Sequence, residues 1–176
     1  DPYWGPGQTD LDALVEQMDA LGVDRAVLLA EEQTEKGFKV PSWWITEQAA
    51  RYPERLIPFC VVEPRMAPGA DTMADLVAEY LAMGAQGVGE LKVGLPIDDE
   101  RMQAIYRICE DRGVPLLMHM SDKHAIDVPG LPGLERMLQA YPELDFIMHA
   151  HGWWAHISAD VTTEQMSWYP DGPVTP

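Results

Sequence analysis

Five short apolar segments recur along this chain at nearly constant spacing, and residues with helical periodicity lie between them. The segments end at Ala30, Val62, Lys92, His119 and His149, which are 32, 30, 27 and 30 residues apart. One strand, one helix and their connecting loops occupy about this length. The repeat therefore predicts successive strand–helix units, with strands at 25–30, 55–62, 87–93, 114–120 and 144–149.

The stretches between these segments carry apolar residues three or four positions apart. In the first stretch they are Leu11, Leu14, Val15, Met18 and Leu21, which fall on one face of a helix. Similar stripes predict helices at 42–52, 73–81, 99–112 and 134–141. Strands with almost continuous apolar character, each followed by a helix, are typical of a parallel sheet that helices cover.

Two α/β architectures fit this pattern, a (β/α)8 TIM barrel and an open doubly wound sheet. No Gly-x-Gly-x-x-Gly motif follows the first predicted strand, and Gly84, Gly87 and Gly89 precede or lie inside a strand, where they cannot cradle a phosphate. The barrel is therefore favoured. A complete barrel takes about 250 residues, whereas this chain has 176, so we predict a partial barrel.

Charge and length exclude several classes of partner. The chain has 12 Lys and Arg against 29 Asp and Glu, a net charge of −17 without a basic cluster, so nucleic acids and anionic membranes would be repelled. Its apolar segments are far shorter than the roughly 18 residues of a membrane-spanning helix. Two cysteines, Cys60 and Cys109, do not form a disulfide framework, which favours a reducing compartment and predicts a cytoplasmic protein.

Side chains that bind metals stand at the ends of three predicted strands. Glu90 lies in the third strand, and His119 and His149 end the fourth and fifth. Active sites of (β/α)8 barrels lie at the carboxyl ends of the strands, and a catalytic zinc commonly takes three His or carboxylate ligands and one water. These residues therefore predict a divalent metal site, with histidines satisfied in the core as the alternative.

Other residues near the strand ends predict contacts with a substrate. Lys92 lies on the same side of its strand as Glu90, and His151 would share a side with His149 if that strand continued. We expect substrate contacts from these two residues and from Trp153 and Trp154, which belong to a set of six tryptophans outside the predicted strands: Trp4, Trp43, Trp44, Trp153, Trp154 and Trp168. The alternatives are a buried Glu90–Lys92 ion pair and ordinary packing of the aromatic residues.

The order of these motifs resembles the amidohydrolase superfamily, in particular the amidohydrolase-2 group with aminocarboxymuconate-semialdehyde decarboxylase. The resemblance covers nearly the whole chain and is carried by LVEQMDALGV at 14–23, RYPER at 51–55, GVGELKV at 87–93, GVPLLMH at 113–119 and the segment 141–149. It implies a (β/α)8 barrel with a divalent metal, often zinc. The metal is held there by a His-x-His pair on the first strand, a His on the fifth and an Asp on the eighth.

In this resemblance His119 matches the ligand on the fifth strand, and His149 matches a histidine on the sixth that binds metal or transfers a proton. Glu90 and Lys92 match the end of the fourth strand, where other branches have a bridging acidic group or a carboxylated lysine. The visible strands would then be strands two to six of eight. We therefore expect residues 1–176 to be one domain truncated at both ends, and poorly stable alone because its sheet edges are exposed.

The function expected from these features is that of a metal-dependent hydrolase. It would act on a small carboxylated or cyclic organic substrate through metal-activated water, with His149 as the catalytic proton carrier. A serine nucleophile and ATP-driven chemistry are disfavoured because the chain has neither a Gly-x-Ser-x-Gly motif nor a P-loop. The alternatives are a decarboxylase of the same family, a lyase with a Schiff base on Lys92, and a non-catalytic binding module. A homo-oligomer is possible with any of them.

Overall fold

The structure of this chain, a computed structural model, describes residues 10–169 and 175 and contains one five-stranded parallel sheet. The strands pair in chain order, so each lies beside its predecessor. They are β1 (Ala26–Leu29), β2 (Leu56–Cys60), β3 (Gly87–Leu91), β4 (Leu116–His119) and β5 (Phe146–His149). Because every pair is parallel, the carboxyl ends of all five strands lie at one edge of the sheet.

Helices connect the strands, as the periodicity predicts. They are α1 (Leu11–Leu21), α2 (Ser42–Ala49), α3 (Ala70–Ala82), α4 (Glu100–Arg112), α5 (Pro132–Ala140) and the short α6 (His151–Ala155), and single 3-10 turns lie at Thr34–Lys36 and Glu164–Ser167. The first helix buries Leu11, Val15 and Met18 and ends at Gly22, whose left-handed backbone suits a residue without a side chain.

The core lies between the sheet and the helices that cover it. Val88 and Leu116 of neighbouring strands are fully buried in it. Tyr106 of α4 is also fully buried, and its ring packs edge-to-face on Tyr141 and Phe146 at centroid distances of 5.6 and 5.3 Å. Its hydroxyl donates a hydrogen bond of 2.7 Å to the carbonyl oxygen of Ile97, so this polar group is satisfied inside the core.

Strand β5 ends at His149, so His151 does not lie on the same side of that strand as His149. Ala150 has a φ of 75°, which breaks the extended backbone, and His151 is the first residue of α6. Helix α6 then packs tightly on the end of β4: the amide of Gly152 donates to the carbonyl oxygen of Met120 at 3.0 Å. A Cβ at Gly152 would lie 2.7 Å from the Cα of Ser121, so only glycine fits there.

None of the helices in the described part of the chain combines the length and apolar character needed to span a membrane. The predicted single domain over residues 1–176 includes stretches outside the described residues, and Trp4 lies in one of them.

Candidate metal centre

Three neighbouring strands bring Glu90, His119 and His149 together. His119 and His149 are register partners at the ends of β4 and β5, and Glu90 lies in β3 beside them. One potential ligand atom from each side chain lies within 4.8 Å of the other two. The parallel sheet therefore gathers the predicted ligands, although 29 and 30 residues separate them along the chain.

The carboxylate of Glu90 is the centre of this cluster. Its Oε1 atom lies 2.6 Å from Nδ1 of His119 in a hydrogen bond and 3.1 Å from Nε2 of His149 in a contact without hydrogen-bond geometry. Its Oε2 atom lies 3.3 Å from Nζ of Lys36. Burial alone would raise the pKa of Glu90, but the contacts with the two histidines and the charge of Lys36 hold that pKa well below its ordinary value.

The ionised state of Glu90 determines which nitrogen of His119 carries the proton. An ionised carboxylate only accepts hydrogen bonds, so Nδ1 of His119 is the donor. The neutral ring then has a lone pair on Nε2, and this buried atom has no hydrogen-bond partner. Burial lowers the pKa of His119, its contact with Glu90 opposes this, and the result is a lowered pKa. A neutral imidazole is the form that binds metals.

A divalent cation fits this cluster by a direct physical criterion. Nε2 of His149 is likewise buried without a hydrogen-bond partner, and buried polar atoms without partners are uncommon in folded proteins. Two imidazole nitrogens and a carboxylate are ligands suited to zinc, manganese and iron.

The loop after β1 supplies a residue that sequence reasoning missed. Lys36, in the 3-10 turn, places Nζ 3.1 Å from Oε1 of Glu31 as well as near Glu90. The side-chain amide of Gln33, in the same loop, donates a hydrogen bond from Nε2 to the backbone carbonyl oxygen of Glu90. These residues follow the first strand directly, so the rule that sites lie at strand ends could have indicated them.

A charged network fixes this loop to the neighbouring strand ends. Arg65 forms a bidentate contact with Glu35 at 2.6 and 2.8 Å and also bonds to Glu63 at 2.6 and 2.7 Å. Glu63 accepts from the amide of Thr34 at 3.1 Å, and Glu35 accepts from the amide of Gly94 at 2.8 Å. Because Glu35 and Thr34 lie one and two residues before Lys36, the network holds Lys36 against the cluster.

The cluster opens into a cleft of about 760 Å³, a size typical of small-molecule sites. Its lining residues are Leu29, Glu31, Glu35, Lys36, Lys39, Glu90, Lys92, His119, His149 and Tyr169. Lys92 therefore lines the cleft, as expected for a substrate contact. Glu90 forms its ion pair with Lys36, so the alternative of a Glu90–Lys92 ion pair is wrong.

The remaining predicted residues lie on or near α6. The ring of His151 is 5.6 Å from that of His119, so this residue adjoins the cluster from a helix. Trp153 and Trp154 are 38% and 51% exposed and do not line the cleft, whereas Tyr169, which contacts the ring of Trp154, does. The expected contact between these two tryptophans and a substrate stays a prediction.

One further histidine adjoins the cluster without belonging to it. The ring of His124 lies 5.4 Å from that of His119, and Nδ1 of His124 lies 2.9 Å from Oγ of Ser121. Burial and the nearby charge of Lys92 lower the pKa of His124 to about 4. We therefore expect this ring to be neutral at pH 7.

The comparison with protein families agrees with the fold and the cluster. A family profile described as amidohydrolase matches residues 5–173 of the 176. The chain belongs to the amidohydrolase family. Members of this family are metal-dependent hydrolases and decarboxylases, so the resemblance seen in the sequence is confirmed. No match was found among curated protein sequences.

Solved structures similar to this amidohydrolase confirm the barrel fold. An uncharacterized TIM-barrel protein from Bordetella bronchiseptica has 24% identity and a TM-score of 0.69, over 84% of this chain and 53% of the other. A probable 2-pyrone-4,6-dicarboxylic acid hydrolase from Acinetobacter baumannii, crystallised with citric acid, has 17% identity and a TM-score of 0.58, over 82% and 49%.

A third similar structure contains a metal. It is 5-carboxyvanillate decarboxylase from Novosphingobium aromaticivorans, in complex with manganese and 4-hydroxy-3-methoxy-5-nitrobenzoic acid, with 18% identity and a TM-score of 0.54 over 79% of this chain and 48% of the other. The amidohydrolase chain thus spans about half the length of these three structures. Its five parallel strands form part of a (β/α)8 barrel.

Proposed function

We propose that this amidohydrolase is a metal-dependent hydrolase of a small carboxylated or cyclic organic molecule, with Glu90, His119 and His149 as metal ligands. The observation that carries the proposal is that Oε1 of Glu90 lies 2.6 Å from Nδ1 of His119 and 3.1 Å from Nε2 of His149, so that one ion replacing the proton on Nδ1 would bind all three side chains. A divalent ion at such a site lowers the pKa of a bound water toward about 7 and polarises a substrate oxygen.

The side chains around the cluster have separate roles in this proposal. In the absence of the ion, Glu90 orients His119 through the hydrogen bond to Nδ1, and the charge of Lys36 helps to keep Glu90 ionised. The side chain of His149 is 38% exposed, whereas that of His119 is 9% exposed. His149 is therefore the histidine more open to a substrate in the cleft, and it would carry the proton in any state in which its Nε2 does not bind the ion.

Decarboxylation is a second candidate reaction, and two observations favour it. One of the similar structures is a decarboxylase with manganese, and the cleft is lined by Lys92 and Lys39, whose positive charges suit a substrate that carries carboxylates. The two reactions differ in their products. Incubation of the metal-loaded full-length protein with 5-carboxyvanillate and with 2-pyrone-4,6-dicarboxylate would distinguish release of CO2 from hydrolytic ring opening.

Metal content of the full-length protein tests the ligand assignment. We expect the purified protein to retain a divalent ion, zinc or manganese, and His119→Ala to lose most of it because one nitrogen ligand is removed. His156→Ala is the matched control, since His156 contacts the backbone at Gly130 and Gly152 and does not belong to the cluster. Equal metal content in the His119→Ala variant and the wild type would refute the assignment.

A further inference from the structure

The acidic side chains that line the cleft already have cationic partners. Glu31 and Glu90 both contact Nζ of Lys36, at 3.1 and 3.3 Å. Glu35 forms its bidentate contact with Arg65. Each acidic side chain that lines the cleft therefore has a cationic partner, with Lys36 shared by two of them.

Two lysines of the cleft have no such partner. Within residues 10–169 and 175, neither Lys92 nor Lys39 forms an ion pair or a side-chain hydrogen bond, although both line the cleft. This is unusual in a chain with a net charge of −17, where acidic groups greatly outnumber basic ones. Lys92 is also half-buried, and a partly buried ammonium group without a partner carries a desolvation cost that a bound anion offsets.

The position of Lys92 relates this positive charge to the metal cluster. Lys92 follows Glu90 by two residues at the end of β3, and both side chains line the same cleft. A ligand could therefore place one group at the cluster and a second, anionic group at Lys92. The cleft volume of about 760 Å³ accommodates a ring with two carboxylates.

We propose that Lys92, assisted by the exposed Lys39, forms an anion subsite separate from the metal ligands, and that the substrate carries at least two carboxylates. This inference rests on the proposed function, and it places the first carboxylate at the metal cluster. The second carboxylate binds Lys92 by charge and does not react. Lys92 is thus a specificity-determining residue, because a substrate with a single carboxylate leaves its ammonium group unpaired.

Binding of isophthalate, a benzene ring with two carboxylates, and of benzoate, with one, tests this inference. We would titrate both ligands calorimetrically into full-length protein, either loaded with Mn²⁺ or treated with a chelator. In the loaded protein we expect isophthalate to bind about tenfold more tightly than benzoate, the difference in affinity that one charged hydrogen bond typically makes. We expect Lys92→Met to remove this preference. Lys123→Met is the matched control, since Lys123 is exposed and does not line the cleft.

Several outcomes would overturn the anion subsite. Equal affinities of the loaded wild-type protein for the two ligands, or an isophthalate affinity unchanged by Lys92→Met, would refute it. Loss of metal from Lys92→Met would make Lys92 a ligand, and a borohydride-stabilised adduct between Lys92 and pyruvate would make it a nucleophile. If Lys92→Met weakens isophthalate binding and Mn²⁺ has no effect on it, the anion subsite is supported and the proposed metal function fails.

Discussion

Nδ1 of His119 lies 2.6 Å from Oε1 of Glu90, and this hydrogen bond leaves Nε2 of the same ring buried without a partner. The carboxylate thereby fixes both the orientation and the protonation of the imidazole. The same Oε1 atom lies 3.1 Å from Nε2 of His149, so one carboxylate oxygen and two imidazole nitrogens lie within reach of a single cation, which would replace the proton on Nδ1. The proposals for the metal centre depend on this relationship.

Replacing Glu90 by Gln tests the role of the carboxylate. The amide keeps the size of the side chain but removes its negative charge, so the ligand that Glu90 supplies to the ion is weakened. We expect the affinity for Zn²⁺ or Mn²⁺ to fall about 10–100-fold, measured by competition with a chelator. Glu79→Gln, at an exposed position of α3, should leave the affinity unchanged. An unaltered affinity in Glu90→Gln would contradict the role of Glu90.

Acid should weaken the fold through Glu63, whose side chain is 3% exposed. Burial alone would raise the pKa of Glu63, but hydrogen bonds from Arg65 and Thr34 leave it below the ordinary value of 4.5. The stabilisation is therefore present above that value and is lost as the pH falls through the lower pKa of the folded state.

The variant Glu63→Gln should consequently be less stable than the wild type at pH 7, by roughly 1–3 kcal/mol. The difference in the free energy of unfolding should shrink as the pH falls below 4.5. Urea denaturation of the full-length proteins at several pH values measures it, with Glu79→Gln as the control. A difference that is independent of pH would show that the charge of Glu63 does not contribute.

A methyl group at position 152 should disturb the contact between α6 and β4. In Gly152→Ala the Cβ would lie 2.7 Å from the Cα of Ser121 and 2.8 Å from the carbonyl oxygen of Met120, so the helix that begins with His151 must move. We expect a loss of about 1–3 kcal/mol in stability. Gly69→Ala is the matched control, because a Cβ there meets nothing within 4 Å. Equal melting temperatures for the two variants would contradict this packing.

The sequence predicts the order of strands and helices well because each unit repeats the same apolar periodicity. Glu90, His119 and His149 could be identified because parallel strands place their carboxyl ends at one edge, so positions far apart in sequence become neighbours. The strand bounds are less accurate: the predicted strand at 55–62 is observed at Leu56–Cys60, since apolar residues continue beyond the paired backbone.

Residues on loops could not be placed in the same way. Lys36 reaches Glu90 from a 3-10 turn 54 positions earlier, and no periodic pattern predicts the path of such a loop. Trp153 and Trp154 follow a strand directly, but the turn at Ala150 starts a helix on which both are exposed. Loop conformation depends on specific contacts, such as those of Arg65, which only the structure shows.

Binding of one divalent ion by Glu90, His119 and His149 can be observed in crystals of the full-length protein soaked in Mn²⁺, with diffraction data collected on both sides of the manganese absorption edge. We expect an anomalous peak at bonding distance, about 2.0–2.3 Å, from Nδ1 of His119, and its disappearance in His119→Ala. An ion bound elsewhere in the cleft, with Nδ1 of His119 and Nε2 of His149 outside its coordination shell, would refute the ligand assignment.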